Sequence, residues 1–318
     1  MIYHILKDNC KTVLCGNIGY SICDAVIDNG DDAIYVVEAS SFQLESTANF
    51  DPDIMVILNI NPHHLDHHKT LEHYVKSKLK PAINASEDKY TIYSLDSPYL
   101  SVIKKNNKRN IISFSKEKMI SDVYLFDGYI YYRNKRIYRI KKGTYSYIIN
   151  NYMAVIGVLS VLNLNVKKEL RKLKYFKNIK YRMEKLTNNI YNDAKSTNQY
   201  STIAAISNLD NVLLICGGYD RGERLVISND ILSKIICVFA YGDSKGKIKK
   251  YMNEKNVNCL VYDKLVEAFD ASYQMLDDKK TLLYSPMFAS YDQYKSFEKR
   301  GYEFEELVLK KKSLFSKK

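Results

Sequence analysis

The sequence predicts an α/β protein made of two successive domains with mostly parallel sheets. Short apolar runs alternate with helical patterns in two separate series, the signature of parallel strands joined by crossover helices. A polar, basic stretch around 176–183 separates the series and sets the domains at 1–180 and 181–318, both of ordinary size. A hydrophobic fraction of 46 % over 318 residues is enough for two cores.

In the first series, Thr12–Cys15, Ile34–Val37, Met55–Leu58, Thr91–Tyr93 and Asn110–Phe114 read as short buried strands. Helical patterns cover Ser21–Asn29, Thr70–Ala82 and Tyr99–Asn106. Val123–Phe126, Tyr129–Tyr132 and Arg136–Ile140 are parted by Asp127-Gly128 and Asn134-Lys135, the pattern of a small antiparallel meander. Asn150–Leu162 reads as an apolar helix and Val166–Leu173 as a short basic one. The second series has strands at Ile190–Asp193, Val212–Cys216, Ile236–Tyr241, Cys259–Tyr262 and Leu282–Ser285. Its helices fall at Gln199–Ser207, Lys245–Asn253, Leu265–Met275 and Tyr302–Lys312. The terminal KKKSLFSKK reads as a frayed, solvated end.

Composition excludes several classes. No run approaches the ~18–20 apolar residues of a membrane span, and no signal-peptide pattern opens the chain, so a cytoplasmic protein without a membrane partner is expected. The six cysteines form no C-x-x-C pair and mostly sit in apolar runs, as reduced, buried thiols do. The net charge of +12 is concentrated: Lys104–Lys180 holds 19 Lys+Arg against 4 Asp+Glu, leaving −3 for the rest. Tyr129, Tyr131, Tyr132 and Tyr138 interleave with that charge, as in some RNA-binding surfaces. Yet the chain has 39 Lys to 9 Arg, 28 Tyr, no Trp and 5 Pro, a bias that an AT-rich genome produces without any polyanion partner. No nucleic-acid partner is expected, and an RNA-binding protein is the remote alternative.

The chemistry-bearing residues stand at strand ends, where open α/β sheets bind ligands. One strand delivers Glu38, the next delivers His64 through a Pro turn, and the following helix carries Lys78. Carboxylate, imidazole and amine suit a hard cation with phosphate ligands. Gly16-Asn17-Ile18-Gly19 follows the first strand and permits close backbone approach. Five of six histidines lie between 63 and 73, a density that suggests a transition-metal site. No cysteine supports it, and His67, His68 and His73 are expected to face different ways, so one catalytic histidine with polar neighbours is preferred. In the second series, Asn192-Asp193-Ala194-Lys195-Ser196-Thr197-Asn198 precedes a helix capped by Thr197 or Asn198 and suits an anion. Gly217–Gly222 and Ser285–Ser290, followed by Asp292-Gln293-Tyr294, Phe297 and Arg300-Gly301, end neighbouring strands that can line a cleft.

Taken in order, GNIG, E-x-SSFQLE, the HLD-x-H turn, Y-x-x-x-K, YRME, ND-x-K-x-TN, GG-x-DRG and SP-x-x-AS-x-DQ-x-K-x-F-x-x-RG resemble the Mur ligases. SSFQLE and DQ-x-K-x-F-x-x-RG point to their D-glutamate-adding branch. The resemblance spans Gly16 to Gly301. It implies a central ATPase-type domain followed by a Rossmann-like C-terminal domain that binds D-glutamate. It also implies peptidoglycan precursor synthesis: ATP phosphorylates UDP-N-acetylmuramoyl-L-alanine, and D-glutamate attacks the acyl phosphate. Glu38 and His64 would bind Mg²⁺, and Lys78, as a carbamate, a second Mg²⁺. Asn17, Ser40 and Gln43 would contact the nucleotide sugar. Asn151, Arg182, Asp193 and Lys195 would surround ATP and the transferred phosphoryl group, and Thr197, Arg221, Ser290 and Phe297 would frame D-glutamate. His64, Lys78 and Lys195 would be the catalytic residues.

The departures shape a further expectation. The family carries a nucleotide-sugar domain and a P-loop ahead of this region, and no G-x-x-x-x-G-K-[ST] occurs in the 318 residues. Met1–Lys7 resembles the helix that follows that loop. An N-terminally truncated ligase is therefore expected, inactive by itself, with an unpaired strand edge in its central sheet and a separate chain as a possible source of the rest. The alternative is a non-catalytic remnant or one half of a split ligase, binding D-glutamate or phosphate. His63 replaces the family's usual Asp and Ala194 its Ser. Tyr147-Ile148 replace His-Asn, which weakens the adenine side.

Overall fold

The computed structural model describes residues 1–17, 19–83, 86–103 and 109–315, with the side chains of 101, 102, 314 and 315 outside that description. Ile18 of the GNIG motif, the end of the helix expected over Tyr99–Asn106 and the last three residues of the basic tail lie outside it too. The chain divides into two compact units, Met1–Lys177 and Asn178–Lys318, three residues ahead of the expected 180/181 boundary.

Unit 1 opens on a short helix, α1 (Ile2–Leu6), followed by β1 (Thr12–Gly16), α2 (Ile22–Asn29), β2 (Ile34–Glu38) and α3 (Ser41–Ser46). β3 (Ile54–Ile57), α4 (Leu65–His68), α5 (Leu71–Ile83), β4 (Tyr90–Ser94) and β5 (Asn110–Ser115) come next. The meander β6 (Val123–Phe126), β7 (Tyr129–Tyr132) and β8 (Lys135–Arg139) leads into α6 (Ser146–Val161) and α7 (Val166–Glu169). β3 to β6 run parallel and β6-β7-β8 antiparallel, in one six-stranded sheet of that order. β1 and β2 form a separate parallel ladder that pairs Gly16 with Glu38. Among the described residues β2 pairs only with β1, and β3 only with β4. The expectation of one continuous sheet is thus replaced by two pieces.

Both pieces share one core. Ile5 and Leu6 of α1, Ile92, Ile112, Phe114, Val123 and Ile130 of the sheet, and Met153 to Leu159 of α6 are buried together, with Ile34, Ile54 and Val56 packed on them. At the expected Tyr99–Asn106 helix the chain makes a 3-10 turn over Pro98–Val102, with Pro98 in its first turn. The expected Val166–Leu173 helix tightens after α7 into a 3-10 turn over Leu170–Tyr175.

Unit 2 contains β9 (Glu184–Lys185), β10 (Ile190–Asn192), α8 (Gln199–Ile206), β11 (Val212–Gly217), α9 (Asn229–Leu232) and β12 (Ile235–Tyr241). α10 (Lys245–Glu254), β13 (Cys259–Tyr262), α11 (Leu265–Gln274), β14 (Thr281–Met287) and α12 (Phe297–Phe315) complete it. Strand order is β13-β12-β11-β14-β10-β9, parallel except for β9 against β10. Every residue of β11 is buried, as an interior parallel strand requires. α12 begins five residues before the expected Tyr302 start. Gly301 lets its first turn lie on the Tyr181 ring, where an added Cβ would stand 2.7 Å from Cδ1. Cys15, Cys216, Cys237 and Cys259 are buried, Cys10 and Cys23 are exposed, and all six are free thiols. Among the described residues no helix is long and apolar enough to cross a membrane.

Candidate active site

In unit 1 the end of β2 organises the first group. Gly16 has φ +106°, and this lets the β1 exit lie against the Glu38 backbone. The Asn17 N–H donates to the Glu38 carbonyl at 2.7 Å, and Asn17 Nδ2 lies 3.4 Å from Glu38 Oε1. Ser40 and Gln43 form a capping box at the start of α3. Ser40 Oγ accepts from the Gln43 N–H at 3.3 Å, and Gln43 Oε1 accepts from the Ser40 N–H at 2.9 Å. Two of the three residues that the family resemblance assigns to the nucleotide sugar thus also start this helix.

His64 sits at the N-cap of α4 with φ 54° and ψ 35°, and its carbonyl accepts from the N–H groups of His67 and His68. Its ring lies edge-on to Phe42 at 4.9 Å, beside His63 at 3.9 Å. Lys78 lies one helical turn beyond Tyr74 on α5, its ammonium 5.6 Å from the Tyr74 ring centroid. Burial pushes the Lys78 pKa below the ordinary lysine value, and the charge of Glu38 opposes that shift. An ammonium would repel a cation; a neutral amine is the form that adds CO₂ and becomes a carboxylate. The donor set therefore fits Mg²⁺ when Lys78 is neutral or carbamylated. Asn151 lies half-buried on α6, and Tyr147 of the same helix stacks on Tyr145 at 5.8 Å.

The structure corrects the expectation for the other histidines. Lys69, at φ 61°, breaks the chain between α4 and α5, so His67, His68 and His73 turn back towards one carboxylate, Glu45 of α3. Twenty-two residues separate Glu45 from His67, and no local periodicity signals that meeting.

Unit 2 builds a second group at the ends of β10, β11 and β14. Asp193 is fully buried. It accepts from the Met183 N–H at 3.1 Å, Ser196 Oγ at 2.5 Å and Ser285 Oγ at 2.7 Å. Arg182 donates to Ser196 Oγ at 2.9 Å and approaches Asp193 at 3.9 Å. Burial raises the Asp193 pKa, while Arg182 and the hydrogen bonds pull it back. Lys195 lies over the Phe297 ring at 4.5 Å, joining two of the expected site residues. Asn198, rather than Thr197, caps α8, accepting from the Ser201 N–H at 3.0 Å, so Thr197 stands one residue ahead of the cap.

A single buried side chain, to which sequence reading assigned no role, ties these loops. Arg300 donates to the carbonyls of Ala194 at 3.1 Å and Phe288 at 2.8 Å. The Tyr219 N–H donates to the Ala289 carbonyl at 2.8 Å, so the Gly217–Gly222 loop is fastened to the same strand end. Arg221 lies 5.9 Å from the Tyr291 ring centroid, beside the buried Ser290. The available signal for Arg300 was its place in the Phe297–Gly301 run, where an arginine next to a core helix needs buried acceptors.

Each unit gathers polar groups at the ends of parallel strands, where open α/β sheets bind ligands, and comparison with known proteins makes the class specific. Residues 1–166 match the Mur ligase middle domain, and the chain belongs to the Mur ligase family. Among similar relatives is the UDP-N-acetylmuramoylalanine–D-glutamate ligase of Caldanaerobacter subterraneus, 32 % identical over 318 residues, covering 94 % of this chain and 69 % of that one. The enzyme of the same name from Caldicellulosiruptor saccharolyticus is 30 % identical over 97 % of this chain and 72 % of its own. MurF ligase from Thermotoga maritima, solved in complex with ADP, shares the fold at TM-score 0.68 and 16 % identity, over 98 % of this chain and 77 % of that one. UDP-N-acetylmuramate-alanine ligase from the same organism superposes at 0.61 with 14 % identity, over 96 % and 77 %.

Proposed function

We propose that these residues form the central and C-terminal domains of a ligase that adds D-glutamate to UDP-N-acetylmuramoyl-L-alanine at the expense of ATP. The observation that carries this reading is the 32 % identity, along nearly the whole chain, to relatives named for that reaction. Within unit 1, Glu38 and His64 would hold Mg²⁺, and Lys78, as a carbamate, a second ion. The cations supply neutralisation of mutually repelling phosphate and carboxylate anions. The displaced pKa of Lys78 supports the assignment, because the carbamate forms only on a neutral amine. Asn17, Ser40 and Gln43 would orient the nucleotide sugar, and Asn151 would face the nucleotide.

Within unit 2, Asp193 fixes Ser196, which orients the Arg182 guanidinium for phosphoryl contact. Lys195, steered by Phe297, would meet the charge that develops on the transferred phosphoryl group. Arg221, Ser290 and Thr197 would hold the two carboxylates of D-glutamate. The 318 residues include no G-x-x-x-x-G-K-[ST], so the phosphate cradle has to come from outside them. A second reading, a protein that binds D-glutamate or phosphate without turnover, is separated by the test that follows.

The test mixes or fuses the chain with the N-terminal part of the Caldanaerobacter relative and follows phosphate release. Release should need both UDP-N-acetylmuramoyl-L-alanine and D-glutamate, and should be absent from the chain alone. Turnover by the chain alone would overturn the need for an external cradle. Silence in every arm, with chemical-shift changes on D-glutamate that Arg221→Ala abolishes, would leave the binding-only reading.

A further inference from the structure

The geometry points to a transition-metal site at Glu45, His68 and His73, for a zinc-class divalent ion, with His67 beside it and apart from the Glu38–Lys78 group. The ligand atoms of Glu45, His68 and His73 all lie within 4.8 Å of one another. Two of the spacings are closer: His73 Nε2 is 3.2 Å from Glu45 Oε1, and His68 Nδ1 is 3.7 Å from Glu45 Oε2. Bonds of about 2.0 Å in a tetrahedron put neighbouring ligand atoms about 3.3 Å apart, so small rotations suffice to close the set.

The outer contacts set each ring for this task. The His73 Nδ1–H donates to the His68 carbonyl at 3.1 Å, which leaves the lone pair on Nε2, the nitrogen facing Glu45. His68 Nε2 pairs with Ser41 Oγ at 2.9 Å, so Nδ1 is the atom turned to the carboxylate. The His68 side chain is fully buried, and that Nδ1 has no hydrogen-bond partner. A buried, unpartnered imidazole nitrogen aimed at a carboxylate is an unpaid desolvation cost unless something fills the space. His67 Nε2 adds a third nitrogen 2.8 Å from Glu45 Oε2, and His67 and His73 are half-exposed, which provides an entry path. Lys80 does not compete for the carboxylate, since its ammonium bonds the Glu45 and Thr47 carbonyls.

Imidazole-rich donors select zinc-class ions over Mg²⁺, which prefers oxygen and water. The ion would pin α3, α4 and α5 together. The Phe42 ring lies 4.6 Å from His67 and 4.9 Å from His64, so the site adjoins the His64 ring without including it. The inference is independent of the ligase reading, since it concerns binding and helix packing.

The experiment strips the full chain with a chelator and titrates Zn²⁺ against a chromophoric competitor, with Co²⁺ as a spectroscopic probe. One equivalent should bind, Co²⁺ should show the strong visible absorption of a tetrahedral site, and excess Mg²⁺ should not displace either ion. His73→Gln and Glu45→Gln should each weaken Zn²⁺ at least tenfold and remove the rise in melting temperature that Zn²⁺ gives the parent chain. Both residues are partly exposed, so these variants should fold even if His68→Ala does not. His4→Gln, bonded far off to the Lys172 carbonyl, should bind as the parent does. No saturable binding, uptake unchanged in His73→Gln and Glu45→Gln, or displacement by Mg²⁺ would overturn the site.

Discussion

Replacing Gly16 by Ala tests how the β1–β2 ladder places Glu38. An added Cβ would lie 2.4 Å from the Glu38 carbonyl oxygen, at a backbone φ of +106° that side chains rarely adopt. The strained backbone alone costs about 1–2 kcal/mol. The contact is with backbone, so relief requires the Glu38 carbonyl to retreat by most of an ångström. That carbonyl accepts the Asn17 N–H at 2.7 Å, and losing this bond costs about 1 kcal/mol more. The sum is about 2–3 kcal/mol, confined to the segment that holds Glu38. Gly30→Ala is the matched control: its φ is +69° and nothing lies within 4 Å of the added Cβ, so only backbone strain applies. Amide hydrogen exchange is the suitable assay, because two units need not unfold in one step. Protection across Thr12–Glu38 should fall by about 30- to 150-fold in Gly16→Ala, clearly more than in Gly30→Ala. Equal losses in the two variants would refute the claim that close backbone contact at Gly16 sets the position of Glu38.

In the complemented ligase, Lys78→Ala should lose most turnover, unrescued by bicarbonate and partly rescued by a short carboxylate; ¹³CO₂ should give the parent chain a carbamate resonance that the variant lacks. Arg300→Met should destabilise unit 2 by about 2–4 kcal/mol, the loss of two charge-assisted bonds less the relief of burying a guanidinium, read as reduced protection in 193–197 and 285–291. Burial raises the pKa of Asp193 above its ordinary value in the folded state, against the pull of Arg182 and its hydrogen bonds. The folded state therefore holds the proton more tightly than the unfolded one, and its deficit at neutral pH shrinks as pH falls from the raised value towards the ordinary one. The stability of the parent relative to Asp193→Asn should rise across that window; a difference flat with pH would remove the assignment.

Most strands were legible because buried parallel strands appear as isolated apolar runs, and Cys259–Tyr262 matches its observed bounds. Helix starts were readable where a side chain caps them, as Asn198 does. β9 escaped notice because two residues carry no periodicity. The split of the first sheet was hidden for another reason: apolar runs show that strands exist, not which edges pair. The histidine run was misread because periodicity does not report the shape of a turn, and a positive φ at Lys69 reverses the chain there. Arg300 and Glu45 share the deeper difficulty. Each acts across long sequence separations on partners that only the folded chain brings near, whereas Glu38, His64 and Lys78 lie in or beside recognisable local elements.

The buried charges show why the two units treat similar side chains differently. A lysine can shed its proton, so the partial burial of Lys78, which lowers its pKa against the pull of Glu38, favours the amine that CO₂ can modify. Arginine stays protonated, so Arg300 requires acceptors, and it takes the backbone carbonyls of Ala194 and Phe288. That choice fixes two loops at once, which a carboxylate partner on one loop would not do. Asp193 is the converse: an acid in the interior supplied with donors from Met183, Ser196 and Ser285. Its role is to hold those donors in register, and through Ser196 to aim Arg182. Within each unit the division is visible in exposure: Arg300 is sealed inside unit 2 where it shapes the loops, whereas Arg182 there, and Lys78 in unit 1, stay partly exposed.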